Sequence, residues 1–171
     1  MPNPGVSDVY NVDHDAMVQI FIDQHRRMLR ESLDGLTESE ARAQMVNSKT
    51  TLLGLLKHAI FVERVWFGEA ASGISRSELG IPASPDDSFD LSASETIVSV
   101  IRDYDEAVAH SQQAVEGKTG EDIFPGNRRG PLPLRWVQLH VLRELAQHCG
   151  HADILREHIM DARQTAIANN E

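Results

Sequence analysis

The stretch Leu134–Glu157, LRWVQLHVLRELAQHCGHADILRE, decides the fold of this chain. At the 3.6-residue period of a helix, Val137 and Val141 share one stripe with Leu155 and Ile159 further on, so the segment packs one face against a core. Glu144 and His148 fall inside that stripe, with His151 close by and His140 at its edge. An ionised carboxylate buried without a partner costs several kcal/mol or more, so these polar residues require partners in the interior. The helix is predicted from Pro133, acceptable in a first turn, to Arg163.

Working outward, Thr51–Phe67, TLLGLLKHAIFVERVWF, is apolar round most of a helix, with Lys57 and Arg64 marking a wet edge. A helix over Lys49–Ala71 capped by Ser48 follows, and Lys57, His58, Glu63 and Arg64 make it a core helix rather than a membrane span. His58 sits among Leu55, Val62 and Val65 on a core-facing arc. A first helix is predicted over Asp15–Asp34, with Met17, Phe21, Met28 and Leu36 on its stripe, Val18 and Leu29 beside them, His25 on the core arc and Gly35 ending it. Thr37 with Glu40 makes a capping box for a short turn, and Ser92 with Glu95 makes another that opens a helix to Val115. The stretches around Gly73–Leu91 and Glu116–Leu134 read as long irregular connections, the second because its glycines and prolines oppose regular structure. Four long helices joined this way predict an all-α, four-helix bundle with two long crossing loops. Residues 1–12 are expected to be a loose segment, 13–163 the bundle and 164–171 a tail. Loops of this length are often functional, and both are expected over one end of the bundle.

The 171 residues suit one domain, and the net charge of -10 argues against nucleic acid, Arg128-Arg129 being only a short basic pair. A single cysteine, Cys149, excludes an internal disulfide and a zinc-thiolate cluster. No basic segment followed by an apolar one marks a signal peptide. A cytoplasmic protein without a membrane partner is expected.

Glu144 and His148 stand at i and i+4 and stack on one helix face, where they can share an ion with His58 from a facing helix. Three protein ligands leave a coordination position open, as in catalytic sites. A histidine–histidine–carboxylate set suits Zn²⁺, Fe²⁺ or Ni²⁺. The residues equally admit a plainer reading, with hydrogen-bonded core histidines and Glu144 paired to Arg135 or Arg143. His140, His151 and His25 are placed around the ligands rather than among them. Cys149, about 100° from His148, is read as a packing residue that points away from the stripe. The chain has no His-Glu-x-x-His motif, no paired Glu-x-x-His segments for a di-iron site, no G-x-S-x-G elbow and no phosphate-binding glycine loop.

At Thr51–Phe67, at Leu134–Glu157 and at LRESLDGLTESEAR (Leu29–Arg42), the chain resembles the DinB/YfiT-like superfamily of metalloenzymes. The resemblance spans about Met17 to Ile159 and is closest to the actinobacterial-type branch, similar to mycothiol-dependent maleylpyruvate isomerase and to mycothiol or bacillithiol S-transferases. It implies a DinB-like bundle, often a homodimer, with His58, Glu144 and His148 as ligands of a divalent metal (Zn, alternatively Ni or Fe). Glu144 stands where many members carry a histidine. The resemblance further implies a thiol-dependent S-transferase or isomerase that joins a low-molecular-weight thiol such as mycothiol to an electrophilic substrate. Arg128, Arg129 and Arg135 are candidates to contact acidic groups of cofactor or substrate. The alternatives are a metal-dependent hydrolase and a non-enzymatic, stress-associated metal-binding protein, the latter favoured if His151 or His25 closed the coordination sphere.

Overall fold

The computed structural model describes residues 9–169, so the expected loose segment lies mostly outside the described residues; Val9–Asn11 form one 3-10 turn. Helix α1 spans His14–Glu31 and starts where the Asp13 carboxylate accepts the Ala16 N–H at 2.9 Å. Its buried face is Val18, Ile22, Arg26 and Leu29, whereas Phe21 and Met28 are exposed. The expected stripe through Met17, Phe21 and Met28 is therefore corrected by one position. Two apolar arcs lie side by side on this helix, and the Arg26 arc turns inward because Glu63 waits there. The helix ends four residues before Gly35, which turns the chain at φ 71°. The short helix α2, Glu38–Ala41, carries the predicted Thr37/Glu40 capping box.

Helix α3, Leu52–Glu63, is capped by Thr51 rather than Ser48; six π-helical residues, Arg64–Glu69, and a closing turn, Ala70–Ser72, continue it. Lys57 and Arg64 are its wet edge, as its sequence predicts, and the rest of Leu52–Phe67 is buried. Helix α4, Ile97–Val115, is capped by Thr96 with Ser99. Glu95 does accept the Ser92 N–H at 2.6 Å, but it also pairs with Lys57 at 2.8 Å, which closes a turn instead of opening a helix. The second connection is not irregular throughout. It folds into an antiparallel hairpin, β1 Ile123–Asn127 and β2 Gly130–Pro133. Its glycines permit this: Gly126 and Gly130 have φ of 84° and 80°, and a Cβ at Gly126 would meet the Gly130 carbonyl oxygen at 1.6 Å. Helix α5, Leu134–Ala168, uses Pro133 as its cap and runs beyond Arg163, so most of the expected tail is helical.

Side-chain contacts set the helix directions. Cys149 and Arg156 of α5 reach the carbonyls of His25 and Ser32 in α1 and its C-cap, so these two helices run parallel. His58 meets His148 and Trp66 meets His140, so α3 and α5 are antiparallel. Lys57 pairs with Glu95 at one end of α3 and α4, and Ala71 and Ala114 line one cavity near the other, so those two are parallel. The bundle is up-down-down-up, and the α3–α4 connection must cross its length. Inside it, the Arg26 guanidinium donates to both oxygens of fully buried Glu63 at 2.7 and 2.8 Å and to Asp23 at 2.8 Å. The Tyr104 hydroxyl donates to the Arg26 carbonyl at 3.3 Å, so the ion pair ties α1, α3 and α4 together.

Candidate metal centre

His58 projects from α3, and Glu144 and His148 from α5, where the helices pass antiparallel. One ligand atom from each lies within 4.8 Å of the others, and among the described residues these three form the group close enough to share an ion. His148 Nε2 stands 3.8 Å from Glu144 Oε2, beyond hydrogen-bonding distance. His148 Nδ1 is buried without a partner among the described residues. A buried ring nitrogen that makes no hydrogen bond is costly unless something else satisfies it. Burial lowers the pKa of His148 against the raising effect of the Glu144 carboxylate, and burial and then the neighbouring His148 lower His58 to about 4. Both rings are therefore neutral at physiological pH, as ligation requires. Two neutral imidazoles and one carboxylate fit a divalent ion. Metal–ligand bonds of about 2.0–2.2 Å require the three donors to draw in somewhat on loading.

The tautomer of His58 is set by a residue that periodicity does not reveal. The Ser88 hydroxyl gives its one proton to the Pro85 carbonyl at 2.5 Å, so its oxygen accepts from His58 Nδ1–H at 2.7 Å. That leaves the Nε2 lone pair free to ligate. Phe89 fixes the ring plane by stacking at 4.2 Å and 10°. Ser88 and Phe89 belong to the 3-10 turn Asp87–Phe89 in the crossing connection, which the sequence marks only as a loop.

His140 also lies against the site. Arg143 donates to its Nδ1 at 2.9 Å, which places the ring proton on Nε2, 3.8 Å from Glu144 Oε1. Trp136 stacks on His140 at 5.1 Å and 6°, and Trp66 meets it edge-on at 4.3 Å. Arg143 reaches Glu144 as well, at 3.4 Å, so part of the plainer reading of Glu144 is realised beside the cluster. His151 is exposed, edge-on to His148 at 5.7 Å. His25 lies apart, its Nδ1–H donated to the Phe21 carbonyl at 2.7 Å. Neither His151 nor His25 joins the three-residue group. Cys149 faces the core rather than away from it: it is buried, donates to the His25 carbonyl at 3.4 Å, and burial pushes its thiol up to about 11. It remains a packing residue, with no thiolate to offer at neutral pH.

Both connections reach the centre. The cleft over it, about 150 Å³, is lined by His58, Trp66, Pro85, Arg128, Arg129 and Glu144 among others. Arg135 is elsewhere, paired with Glu121. A larger cavity, about 640 Å³, lies on the other face of α3 against α4, where Glu63 rather than a metal-type cluster contributes the carboxylate. Chemistry and volume disagree here, and the donor set is the stronger guide because a cavity alone supplies no reactive group.

Fold and site together define a helical-bundle protein with a histidine–glutamate–histidine candidate metal centre between antiparallel helices. A family model described as mycothiol-S-transferase matches residues 17–161. The chain belongs to that family, consistent with the DinB/YfiT-like resemblance of its helices. No curated protein matches it.

Proposed function

We propose that the protein is a metal-dependent mycothiol S-transferase, with His58, Glu144 and His148 holding one divalent ion. The observation that carries this reading is the three-residue cluster in a chain of this family, with no fourth ligand from His151 or His25. When bound, a divalent ion lowers the pKa of a thiol from about 8.5, so that the thiolate is the reacting species at neutral pH. The chain's own residues supply the rest. Ser88 presents His58 Nε2, while His140 and Arg143 face the Glu144 oxygen Oε1 and leave Oε2 toward His148. Trp66 and Phe61 give the cleft apolar walls, while Trp136 packs on His140 and Phe89 on His58. The thiol must come from outside, because Cys149 is buried and protonated. Zinc is the first expectation for the ion, with nickel or iron as alternatives.

The cytoplasm, where a low-molecular-weight thiol is kept reduced, suits this chemistry. No helix among the described residues is long and apolar enough to cross a membrane. The exposed Phe21 and Met28 on α1 are compatible with the expected homodimer, which sedimentation would measure.

The test compares purified wild type with His58→Ala by elemental analysis and by conjugation of a bimane electrophile to mycothiol. We expect near-stoichiometric metal and thiol-dependent conjugation in wild type, and loss of both in the variant. Equal metal in the two proteins would remove the proposed ligand set. Turnover of an ester or amide without any thiol would favour the hydrolase instead.

A further inference from the structure

We propose that the metal cleft selects electrophiles that carry a carboxylate, bound by Arg128 and Arg129 at the hairpin turn. This inference rests on the S-transferase reading for what the bound molecule does there. The anion site itself does not depend on that reading.

The chain carries a net charge of -10, yet the cleft holding His58 and Glu144 is also lined by Arg76, Arg128 and Arg129. Arg76 is neutralised by Glu69 at 2.8 Å. Arg128 and Arg129 have no acidic partner among the described residues. The Arg129 guanidinium lies instead over the rings of Trp66 and Trp136, at 5.9 and 5.8 Å from their centroids. An indole face positions a cation without cancelling its charge, so the donors at the guanidinium edge stay free for an anion. The turn is also a defined one. Asn127 Oδ1 accepts the Arg129 N–H at 3.1 Å, and Gly126 admits no side chain against Gly130. One cation is thus held, with a second, Arg128, next to it in the lining of a cleft of only about 150 Å³ beside the candidate centre. A small planar carboxylate matches the fork of a guanidinium and can be gripped at two points. In the reaction, the thiolate sulfur forms a bond to an electrophilic carbon of that molecule. The leaving group departs with its electron pair, and the thiol proton passes to solvent.

Both tryptophans of the chain, Trp66 and Trp136, flank Arg129, so intrinsic fluorescence reports on this site. Metal-free protein, without thiol, is titrated with acetate, benzoate and succinate, with the matching amides, and with inorganic phosphate. We expect at least one carboxylate to give a saturable change that its amide does not. Affinity should fall at least tenfold in Arg128→Gln, which leaves the tryptophan box intact, and further in Arg128→Gln/Arg129→Gln. Arg129→Lys should retain part of it. Equal response to acid and amide, no saturable response to any carboxylate, tighter binding of phosphate, or unchanged affinity in the double variant each overturns the inference. In the loaded enzyme with mycothiol, para-chloromethyl benzoate should exceed its benzamide counterpart at least tenfold in kcat/KM, with chloride as the leaving group. That preference should approach unity in the double variant. Absence of thiol transfer with anion binding intact would remove the S-transferase reading and leave the anion site standing.

Discussion

Ser88 shows how much one hydroxyl can set at a candidate metal centre. By giving its proton to the Pro85 carbonyl it can only accept from His58, which fixes the tautomer that leaves the Nε2 lone pair free. Replacing such an outer partner typically costs about 10–100-fold in metal affinity. Ser88→Ala should therefore weaken metal binding within that range in a chelator competition, with the far-ultraviolet dichroism unchanged; full affinity would mean that the Pro85 carbonyl and packing by Phe89 suffice to orient the ring. The same histidine makes a pH prediction. Its folded pKa is lowered to about 4 by burial, below the unfolded value of about 6.5. As pH falls through that window the unfolded chain takes up a proton that the metal-free fold refuses, so stability is lost between roughly 6.5 and 4. Denaturant midpoints of metal-free protein across this range should fall, and less steeply in His58→Gln. A His58 ring that titrates near 6.5 by NMR would contradict the burial argument.

Among the elements, α3 carries the greatest burden, since it faces the candidate centre on one side and the Arg26–Glu63 pair on another. Removing one member of a buried ion pair leaves an uncompensated charge and costs about 3–5 kcal/mol. Arg26→Met should show a loss of that size in urea unfolding. The double variant Arg26→Met/Glu63→Leu should recover much of it, because well-packed apolar pairs often replace buried ion pairs without loss. If the double variant is less stable than the single one, the pair contributes more than mutual neutralisation. The face of α1 was legible only in part. Its apolar residues occupy two neighbouring arcs, and periodicity cannot choose between arcs when the deciding contact, Arg26 with Glu63, joins two helices. The capping signals divide for a similar reason. Thr37 with Glu40 acts within one turn and is read correctly, whereas Glu95 is drawn off by Lys57, distant in sequence.

At the scale of the whole molecule, an ion held by His58, Glu144 and His148 would join the two antiparallel helices α3 and α5, so its binding would also be folding free energy. At a free concentration of about 100 times Kd it should add roughly 2.7 kcal/mol, or about 5–10 °C in Tm for a domain of this size. Differential scanning fluorimetry with and without a chelator measures this, and an unchanged Tm would mean that no ion bridges the helices. The helical class, the extent of the long helices to within a few residues, and the approach of His58, Glu144 and His148 to one another were written in the sequence, although Glu144 and His148 lie half-buried at the edge of the core face rather than inside it. Helical phase is a local property, repeated many times along each segment. The hairpin, the Ser88 bond, the tryptophan box around His140 and the pairing of Arg26 were decided only in the tertiary structure. Each joins residues far apart along the chain, and neither spacing nor composition records which distant partner a side chain will meet.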